Sequence, residues 1–475
     1  MGAREEAGAE DPLELARGAL AGERAWVVGG WVRDAQLGRR PPRVDLDLIV
    51  DGDPEPAARR LRSAAGRGSA AFSLSDDFGA WRVVGPRGAW QVDLAPLHED
   101  GLEADLRARD MTANAIAEPL EGGERVDPTG GLADLRAGVL RMVAPESFDR
   151  DPLRVVRVAR LAAEIGLRAD PATVREARAR AGGLARISGE RIFAELRALI
   201  GGPEPVTGLR LLEEAGAADV VLPELTALRG IEQTAYHHLD AHDHTLEVLE
   251  RTIEIEREPA RFRGEQRSGS VAALLSEPLA DELTRGAALR WGALLHDIAK
   301  PVTRTPLEGG GFGFPGHDVA GAEIADQILG RLRASARLRS HVAALAGNHL
   351  RLGFLVRQRP LSRRAVHDYL VRCADVPADV TLLSIADRLA TRGRKARESI
   401  ERHMELALPM LDEALSWHAH GPPRPLVRGD ELAAELGIEP GPELGELLAE
   451  IAAAQYAGEV TTRQQAVELA RRVLR

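Results

Sequence analysis

The stretch VVGGWVRDAQLGRRPPRVDLDLIV, residues 27–50, holds a Gly-Gly turn, an Arg-Asp pair and two alternating aspartates within an apolar run. Residues two apart on a strand point to the same face. Asp45 and Asp47 therefore converge, while Leu46, Leu48 and Ile49 are available for packing. Two carboxylates side by side repel unless a cation lies between them. Mg²⁺ is the natural cation, because it takes hard oxygen ligands and keeps positions open for phosphates. Upstream, Gly29 and Gly30 end a strand and lead into a helix. Such a turn lets backbone amides approach a triphosphate with no side chain in the way. Arg33 is expected to add charge there and Asp34 to fix the loop. Metal-bound carboxylates beside a phosphate-cradling turn are a constellation for phosphoryl or nucleotidyl transfer. Asp93, in WQVDLAPL, reads either as a third carboxylate of this site or as an ordinary edge-strand residue.

A chain of 475 residues is too long for one core and suggests two to four domains. With 44% hydrophobic and 28% charged residues, it belongs to neither the membrane-embedded nor the disordered class. No apolar run reaches the roughly 18 residues of a membrane helix. The opening MGAREEAGAEDPLELARG has no apolar core of a signal peptide. Cys373 is the only cysteine, which excludes an internal disulfide and suggests a reducing compartment. Together these features lead us to expect a cytoplasmic protein with no membrane partner. A net charge of −11 argues against a nucleic-acid partner only if it is evenly spread. From Arg150 to Ile200 there are 11 Arg against 6 Asp plus Glu, which points to a basic neck.

Short β-rich runs separated by Gly, Pro and Asp fill the first 140 residues, with a helix expected at EPAARRLRSAAG. From about 150 onward the apolar spacing is helical. Breaks in composition divide the chain into an α+β head (1–145), an all-α neck (146–230), a helical third domain (231–415) and a helical tail (416–475). There is no regular repeat of the solenoid kind.

The motif VGGWVRDAQLGR followed by DLDL resembles the active-site motif of the bacterial-type tRNA nucleotidyltransferase and poly(A) polymerase family, within the polymerase-β superfamily. Four further motifs resemble that family in order: DLRARDMTANAIA, DPTGGLADLRAGVLR, DPLRVVRVARLAAEIGL and SGERIFAELRALI. The chain departs from the family pattern at Arg150, where Glu is usual, at Ala108, where Arg is common, and in extra residues around RRPPR. The resemblance implies a polymerase-β-like mixed-sheet head. It implies catalysis by Asp45 and Asp47 with Mg²⁺. It also implies nucleotide binding by Gly29, Gly30, Arg33, Arg109, Asp110, Asn114, Asp151, Arg154 and Arg157.

Asp151 and Arg154 lie three apart and so are expected to share one helix face. Cytosine and adenine both present an amino donor beside a ring-nitrogen acceptor. The family role implied for the pair is to accept from the amine and donate to the ring nitrogen. Uracil and guanine would leave buried acceptors unpaired. The alternative is that Asp151 caps a helix and Arg154 is a solvated surface residue. Arg157 either holds this pair or binds a phosphate. Asp110 and Asn114 are expected near the ribose, where accepting from the 2′-hydroxyl selects ribonucleotides; the alternative is local turn and cap chemistry.

DAHDHTLEVLE supplies His242 and His244, and LLHDIAKP supplies the adjacent His296 and Asp297. PGHDVAG, GNHLRL and SIADRLATRG supply His317, His349 and Asp387. This order resembles the HD phosphohydrolase superfamily. The resemblance implies His244, His296, Asp297 and Asp387 as ligands of a transition metal such as Mn²⁺, Ni²⁺, Fe²⁺ or Co²⁺, with His317 and His349 completing a second position. In the tail, GIEPGPELG reads as a tight hairpin between two short helices, with Gly437, Gly441 and Gly445 exposing amides to an RNA phosphate or forming a plain turn.

Three functions follow as expectations. The first is addition or repair of the 3′-terminal CCA of tRNA from CTP and ATP, without a template and without DNA as partner, beside a phosphatase or 2′,3′-cyclic phosphodiesterase. The second is a poly(A) polymerase or a partial CC- or A-adding enzyme. The third is an HD phosphohydrolase carrying an RNA-binding head. The oligomeric state is not legible in the sequence.

Overall fold

Strand β1, Ala25–Val28, is four consecutive buried residues, and the chain folds a mixed sheet around it. The other strands are β2 (Val44–Val50), β3 (Ala70–Ser75), β4 (Ala80–Val84), β5 (Trp90–Pro96) and β6 (Ala117–Pro119). Their spatial order is β3-β4-β5-β2-β1-β6. β2 and β5 run parallel, and every other pair is antiparallel. The computed structural model describes residues 11–474 apart from 40–43, 76–78, 234–236, 309–310, 359 and 394. The insertion RRPPR thus lies mostly outside the described residues.

Alternation along β2 gives the sheet two unlike faces. Leu46, Leu48 and Val50 are buried on one, as are Val92 and Leu94 of β5. The helix Pro54–Ala64, at the expected place, packs on the sheet with Ala57, Ala58 and Leu61 buried. On the other face Ile49 joins a cluster with Trp26, Val28, Leu106, Ala115 and Ala117. Asp45 and Asp47 open onto that second face, beyond the cluster's edge.

Residues 1–187 with 202–221 form one compact unit, and 188–201 with 222–475 form a second. The expected neck, 146–230, is divided between them. In the first unit the helix Glu146–Arg150 stops at Asp151, whose φ of −145° and ψ of 98° are extended, and a new helix starts at Arg154. Asp151 and Arg154 therefore do not share one helix face, contrary to the spacing argument. Pro152 is the cause, because proline drives the residue before it out of the helical region. The helix Arg154–Ile165 packs against Pro205–Glu214.

In the second unit the helix Arg285–Leu295 is buried along all its residues. The helices Ala241–Arg257, Ala336–Asn348 and Pro377–Ala390 pack around it. Arg285 enters this core with its charge met by Asp379, through bonds of 2.6–3.0 Å, and by the Asp375 carbonyl at 2.7 Å. The tail helices Gly429–Leu436, Pro442–Ala457 and Arg463–Val473 share a core of Leu432, Leu444, Leu447, Ile451 and Val467. Gly437 ends the first of these in the left-handed region, at φ 69°. The turn ends at Gly441, and Gly445 is inside the 16-residue helix that follows, its N–H bonded to the Gly441 carbonyl. The expected hairpin between short helices is therefore a five-residue turn, 437–441, that excludes Gly445. Among the described residues no helix is long and apolar enough to cross a membrane.

Removing one partner of a buried ion pair strands the other charge, at a cost of about 3–5 kcal/mol. Asp379→Ala should lower the stability of the second unit by about that much in urea unfolding. Loss of less than about 1 kcal/mol would show that Arg285 finds water or another acceptor.

Candidate active sites

Antiparallel pairing sets Val28, the last residue of β1, opposite Asp47. The next residue, Gly29, has φ 72°. A Cβ there would lie 3.0 Å from Asp47 Oδ2 and 3.3 Å from Arg109 Nη1. Glycine is needed at this position both for its backbone and for the room it leaves. Asp45, Asp47 and Asp93 bring one carboxylate oxygen each within 4.8 Å of one another. Asp93 is on β5, which lies inside the sheet, so it is not an edge-strand residue. Its carboxylate accepts two bonds from Arg82, at 2.7 and 2.6 Å. Gln91 Nε2 donates to Asp45 at 2.9 Å. Burial, then the Asp45 charge, pushes the Asp47 carboxyl up to about 6, with Arg109 opposing. Carboxylates this close, one of them driven towards its neutral form, fit a hard divalent cation.

Arg33 is buried in the helix Gly30–Gln36, and its guanidinium is committed to Asp34 and to Asn114 Oδ1 at 2.9 Å. It braces the turn; the expected free charge for a triphosphate is spent inside the protein. Asn114 Nδ2 donates onward to Asp110 at 3.1 Å. Asp110 also accepts from the Met111 amide and from Arg157 Nε, both at 2.7 Å. Burial works against the Asp110 charge, but Arg157, Asn114 and Met111 hold the carboxyl below its ordinary range. Arg157 thus holds Asp110, and the buried Arg33, Asn114 and Asp110 with the half-buried Arg157 form a relay from the glycine turn to the helix Arg154–Ile165. Arg154 Nη1 donates to the Ala108 carbonyl at 2.9 Å, and Asp151 Oδ1 accepts from the Leu153 amide at 3.2 Å. The third motif is structural here. Asp127 accepts from the amides of Gly131 and Leu132 at the start of the helix Gly131–Arg136. A Cβ at Gly131 would lie 2.1 Å from the Thr112 carbonyl oxygen.

The second unit gathers the expected histidines and aspartates from five helices. His244 comes from Ala241–Arg257, and His296 and Asp297 from the end of Arg285–Leu295. His317 begins His317–Arg331, His349 follows Ala336–Asn348, and Asp387 is in Pro377–Ala390. Asp297 faces both ways. Its Oδ2 is 3.1 Å from His296 Nε2 and 3.7 Å from His244 Nε2. Its Oδ1 is 3.3 Å from His317 Nε2 and 3.7 Å from His349 Nε2. Asp387 Oδ1 is 3.1 Å from His244 Nε2. All six residues meet in one centre; His242 is outside it, 3.6 Å from the Asp243 carboxylate.

His296, His317 and His349 each place Nδ1 2.6–2.8 Å from a backbone carbonyl three residues back. A carbonyl only accepts, so Nδ1 carries the proton and Nε2 presents its lone pair to the centre. Nε2 of His244, His296 and His349 is buried without a hydrogen-bond partner. Buried polar atoms ordinarily find partners. Several lone pairs aimed at one spot beside two carboxylates fit a divalent metal with nitrogen and oxygen ligands. Lys300, one of only two lysines in the chain, was not expected here. Its Nζ is 2.5 Å from Asp297 Oδ2 and also meets Gln233. His237, likewise unexpected, lines the same cavity of about 600 Å³, together with Arg357, Arg388 and Arg402.

The Asp47 carboxyl is raised, so it is protonated below about pH 6, and a cation must displace that proton. Divalent-cation affinity of the head should fall as pH drops through 6, by about tenfold from pH 7.5 to 5. Calorimetric titration of Mg²⁺ into the His296→Ala/Asp297→Ala protein measures it. An affinity flat across that range contradicts the assignment.

The model of the poly A polymerase head domain matches residues 25–79 and 88–141, and that of the HD domain matches 241–392. The chain is 38% identical to an A-adding tRNA nucleotidyltransferase of Deinococcus radiodurans, over 93% of this chain and 94% of that one. It is 36% identical to a CC-adding tRNA nucleotidyltransferase of Thermus thermophilus, over 93% and 92%. A multifunctional CCA protein of Xanthomonas campestris is 30% identical over 93% of this chain and the whole of its own. A solved CCA-adding enzyme with ATP shares the fold, with a TM-score of 0.65, 19% identity and coverage of 98% of this chain and 96% of that one. With two carboxylates converging at a glycine turn and relatives aligned along nearly its whole length, this chain belongs to the tRNA nucleotidyltransferase family.

Proposed function

We propose that this chain adds or repairs the 3′-terminal CCA of tRNA from CTP and ATP, using no nucleic-acid template. The observation that carries this reading is the meeting of Asp47 with Gly29 at the end of β1, with a carboxylate oxygen of Asp45 within 4.8 Å of one of Asp47. Asp45 and Asp47 would hold Mg²⁺, which when bound neutralises phosphate charge and favours the ionised acceptor hydroxyl. Gly29 leaves the triphosphate an approach unhindered by a side chain. The acceptor 3′-oxygen attacks the α-phosphorus, the bond to the β-phosphate oxygen breaks, and pyrophosphate leaves. Asp151, where the helix Glu146–Arg150 stops, and Arg154, where the next helix starts, read the amino group and ring nitrogen shared by cytosine and adenine. Asp110 and Asn114 meet the ribose while bracing Arg33 and Arg157. The chain divides functionally into head, neck, HD domain and tail at 145, 230 and 415, and the turn 437–441 contacts tRNA phosphate.

A second reading has a specific observation behind it. The relatives at 38% and 36% identity are named for adding only A and only CC. A partial enzyme would use the same head chemistry with one of the two bases.

For the HD centre we infer a phosphohydrolase acting on phosphomonoesters or 2′,3′-cyclic phosphates. His244, His296, Asp297 and Asp387, with His317 and His349, would hold Mn²⁺, Ni²⁺, Fe²⁺ or Co²⁺, which when bound supplies an activated water. Arg357, Arg388 and Arg402 on the cavity wall supply charge for a phosphate. The single, buried, unpaired Cys373 suits a cytoplasmic setting.

The test uses tRNA transcripts ending before CCA, after C and after CC, with CTP and ATP supplied singly and together. Ordered addition that stops at CCA is expected. Incorporation of A alone or CC alone would select the partial reading, and unlimited A addition would make it a poly(A) polymerase. Asp45→Ala should lower incorporation by at least about a hundredfold. His296→Ala/Asp297→Ala should spare incorporation and abolish hydrolysis of 2′,3′-cyclic phosphates. The reverse pattern would move the chain's main activity to the HD centre.

A further inference from the structure

The carboxylate cluster of the head carries a cation of its own. Residues opposite one another on neighbouring strands share a face. Arg82 on β4 is opposite Asp93 on β5, and Asp93 is opposite Asp47 on β2. The Arg82 guanidinium grips both Asp93 oxygens as a fork, Nε donating to one at 2.7 Å and Nη2 to the other at 2.6 Å. An oxygen of this same carboxylate lies within 4.8 Å of oxygens of Asp45 and Asp47. The bonds to Asp93, with the charges of Asp93, Asp45 and Asp47 behind them, outweigh burial and hold the guanidinium above its ordinary range. Arg82 thus touches one carboxylate and feels all three.

The pair is not what joins the two strands. β4 and β5 already share a backbone ladder from Trp81–Leu94 to Val84–Gln91, and Val83, Val92 and Leu94 are buried on the opposite face. The Arg82 and Asp93 side chains are 30% and 24% exposed, and ion pairs with such access to water add little to stability. Other guanidiniums of the site are engaged elsewhere: Arg33 with Asp34 and Asn114, Arg157 with Asp110, and Arg109 with Asp105 at 3.4 Å. Arg82 instead sets the charge that an arriving divalent ion meets. A guanidinium and a metal ion compete for one carboxylate, and two positive charges this close repel. A triphosphate relieves that repulsion, because its phosphates bring several negative charges.

We propose that Arg82 is a resident counter-ion of the head. It occupies Asp93 and makes cation binding at Asp45 and Asp47 conditional on the triphosphate. Without nucleotide, the guanidinium leaves a divalent ion weakly held. With nucleotide, phosphate charge offsets the guanidinium, so ion and nucleotide bind as one unit. Coupling of this kind is reciprocal, so the ion raises nucleotide affinity by the factor with which the nucleotide raises the ion's. Arg82 acts through Asp93 and the local field, which makes it a positioning residue. This inference rests on the reading of Asp45 and Asp47 as the residues that hold Mg²⁺ for nucleotidyl transfer.

Electron paramagnetic resonance of Mn²⁺ tests it in the full chain carrying His296→Ala/Asp297→Ala, with and without CTP. This starting protein is compared with versions that add Arg82→Gln, Arg82→Lys or Arg82→Gln/Asp93→Asn. Glutamine keeps a hydrogen bond to Asp93 and drops the charge, whereas lysine keeps the charge and drops the fork. Arg82→Gln should bind Mn²⁺ about tenfold more tightly without CTP. The gain in Mn²⁺ affinity on adding CTP should shrink by the same factor. Arg82→Lys should stay within about twofold of the starting protein, and adding Asp93→Asn should cancel the effect of Arg82→Gln. Unchanged nucleotide-free affinity in Arg82→Gln would overturn the assignment. A fall would also overturn it, and would make Arg82 the orienting partner of a ligating Asp93. So would a gain in Arg82→Lys equal to that in Arg82→Gln, or an undiminished effect of CTP. An Arg82→Gln protein that melts as an unfolded chain would make the pair a structural brace and likewise overturn it. A starting protein that binds no Mn²⁺ in the head even with CTP would sink the underlying reading of the site, an outcome distinct from one that binds and is matched by Arg82→Gln.

Discussion

The head of this protein depends on the antiparallel pairing of Val28 with Asp47. That register sets the end of β1 beside the middle of β2, so the chain leaves β1 directly against a carboxylate. Only glycine fits there, because Asp47 Oδ2 and Arg109 Nη1 occupy the space of a side chain. A slip of one residue would turn Asp45 and Asp47 into the apolar side of the sheet and Leu46 and Leu48 out of it. Burial of Leu46 and Leu48 therefore enforces the geometry of the aspartates: packing energy on one face fixes electrostatics on the other. The parallel pairing of β2 with β5 extends the arrangement by setting Asp93 beside Asp47.

The two clusters that could hold a metal use different donors. In the head the candidate ligands are oxygens on adjacent strands, fixed by register, and Arg82 and Gln91 hold two of them from the side. In the second unit the candidate ligands come from helix ends, and each of three imidazoles is fixed by an Nδ1–H bond to a carbonyl of its own turn. The first arrangement suits a hard cation shared with phosphate, the second a borderline metal held mainly by nitrogen. Each centre lies wholly within one compact unit, so each chemistry has its own scaffold.

Much of both sites was legible in the sequence because period and order carry it. The spacing of two in VDLDLIV fixes a shared face whatever surrounds the strand, and the order of His244, His296, Asp297, His317, His349 and Asp387 marks one constellation. What was missed depends on distant partners or on a competing local rule. Arg33 reads as a free cation until its charge is seen to be met by Asp34 and its remaining donor by Asn114, 81 residues away. Asp93 reads equally as a third carboxylate or as an edge residue, because strand order is not written in any one strand, and the structure brings it beside Asp45 and Asp47. Asp151 reads as helical by spacing, and Pro152 overrides that. Gly445 sits in a segment rich in Gly and Pro yet continues a helix, because Leu444 and Leu447 on its first turns are buried in the tail core. Lys300 had a usable signal, since a chain that writes almost every cation as Arg keeps a Lys three residues after the His-Asp pair.

The central claim is that Asp45 and Asp47 hold a cation which joins the nucleotide to the Gly29 turn. The most direct measurement is binding of CTP to the His296→Ala/Asp297→Ala protein and to its Asp47→Asn derivative, with Mn²⁺ followed by electron paramagnetic resonance. The account predicts one nucleotide-dependent Mn²⁺ site in the first protein and its loss in the second, with thermal stability unchanged. The same Mn²⁺ site at unaltered affinity after Asp47→Asn would contradict it.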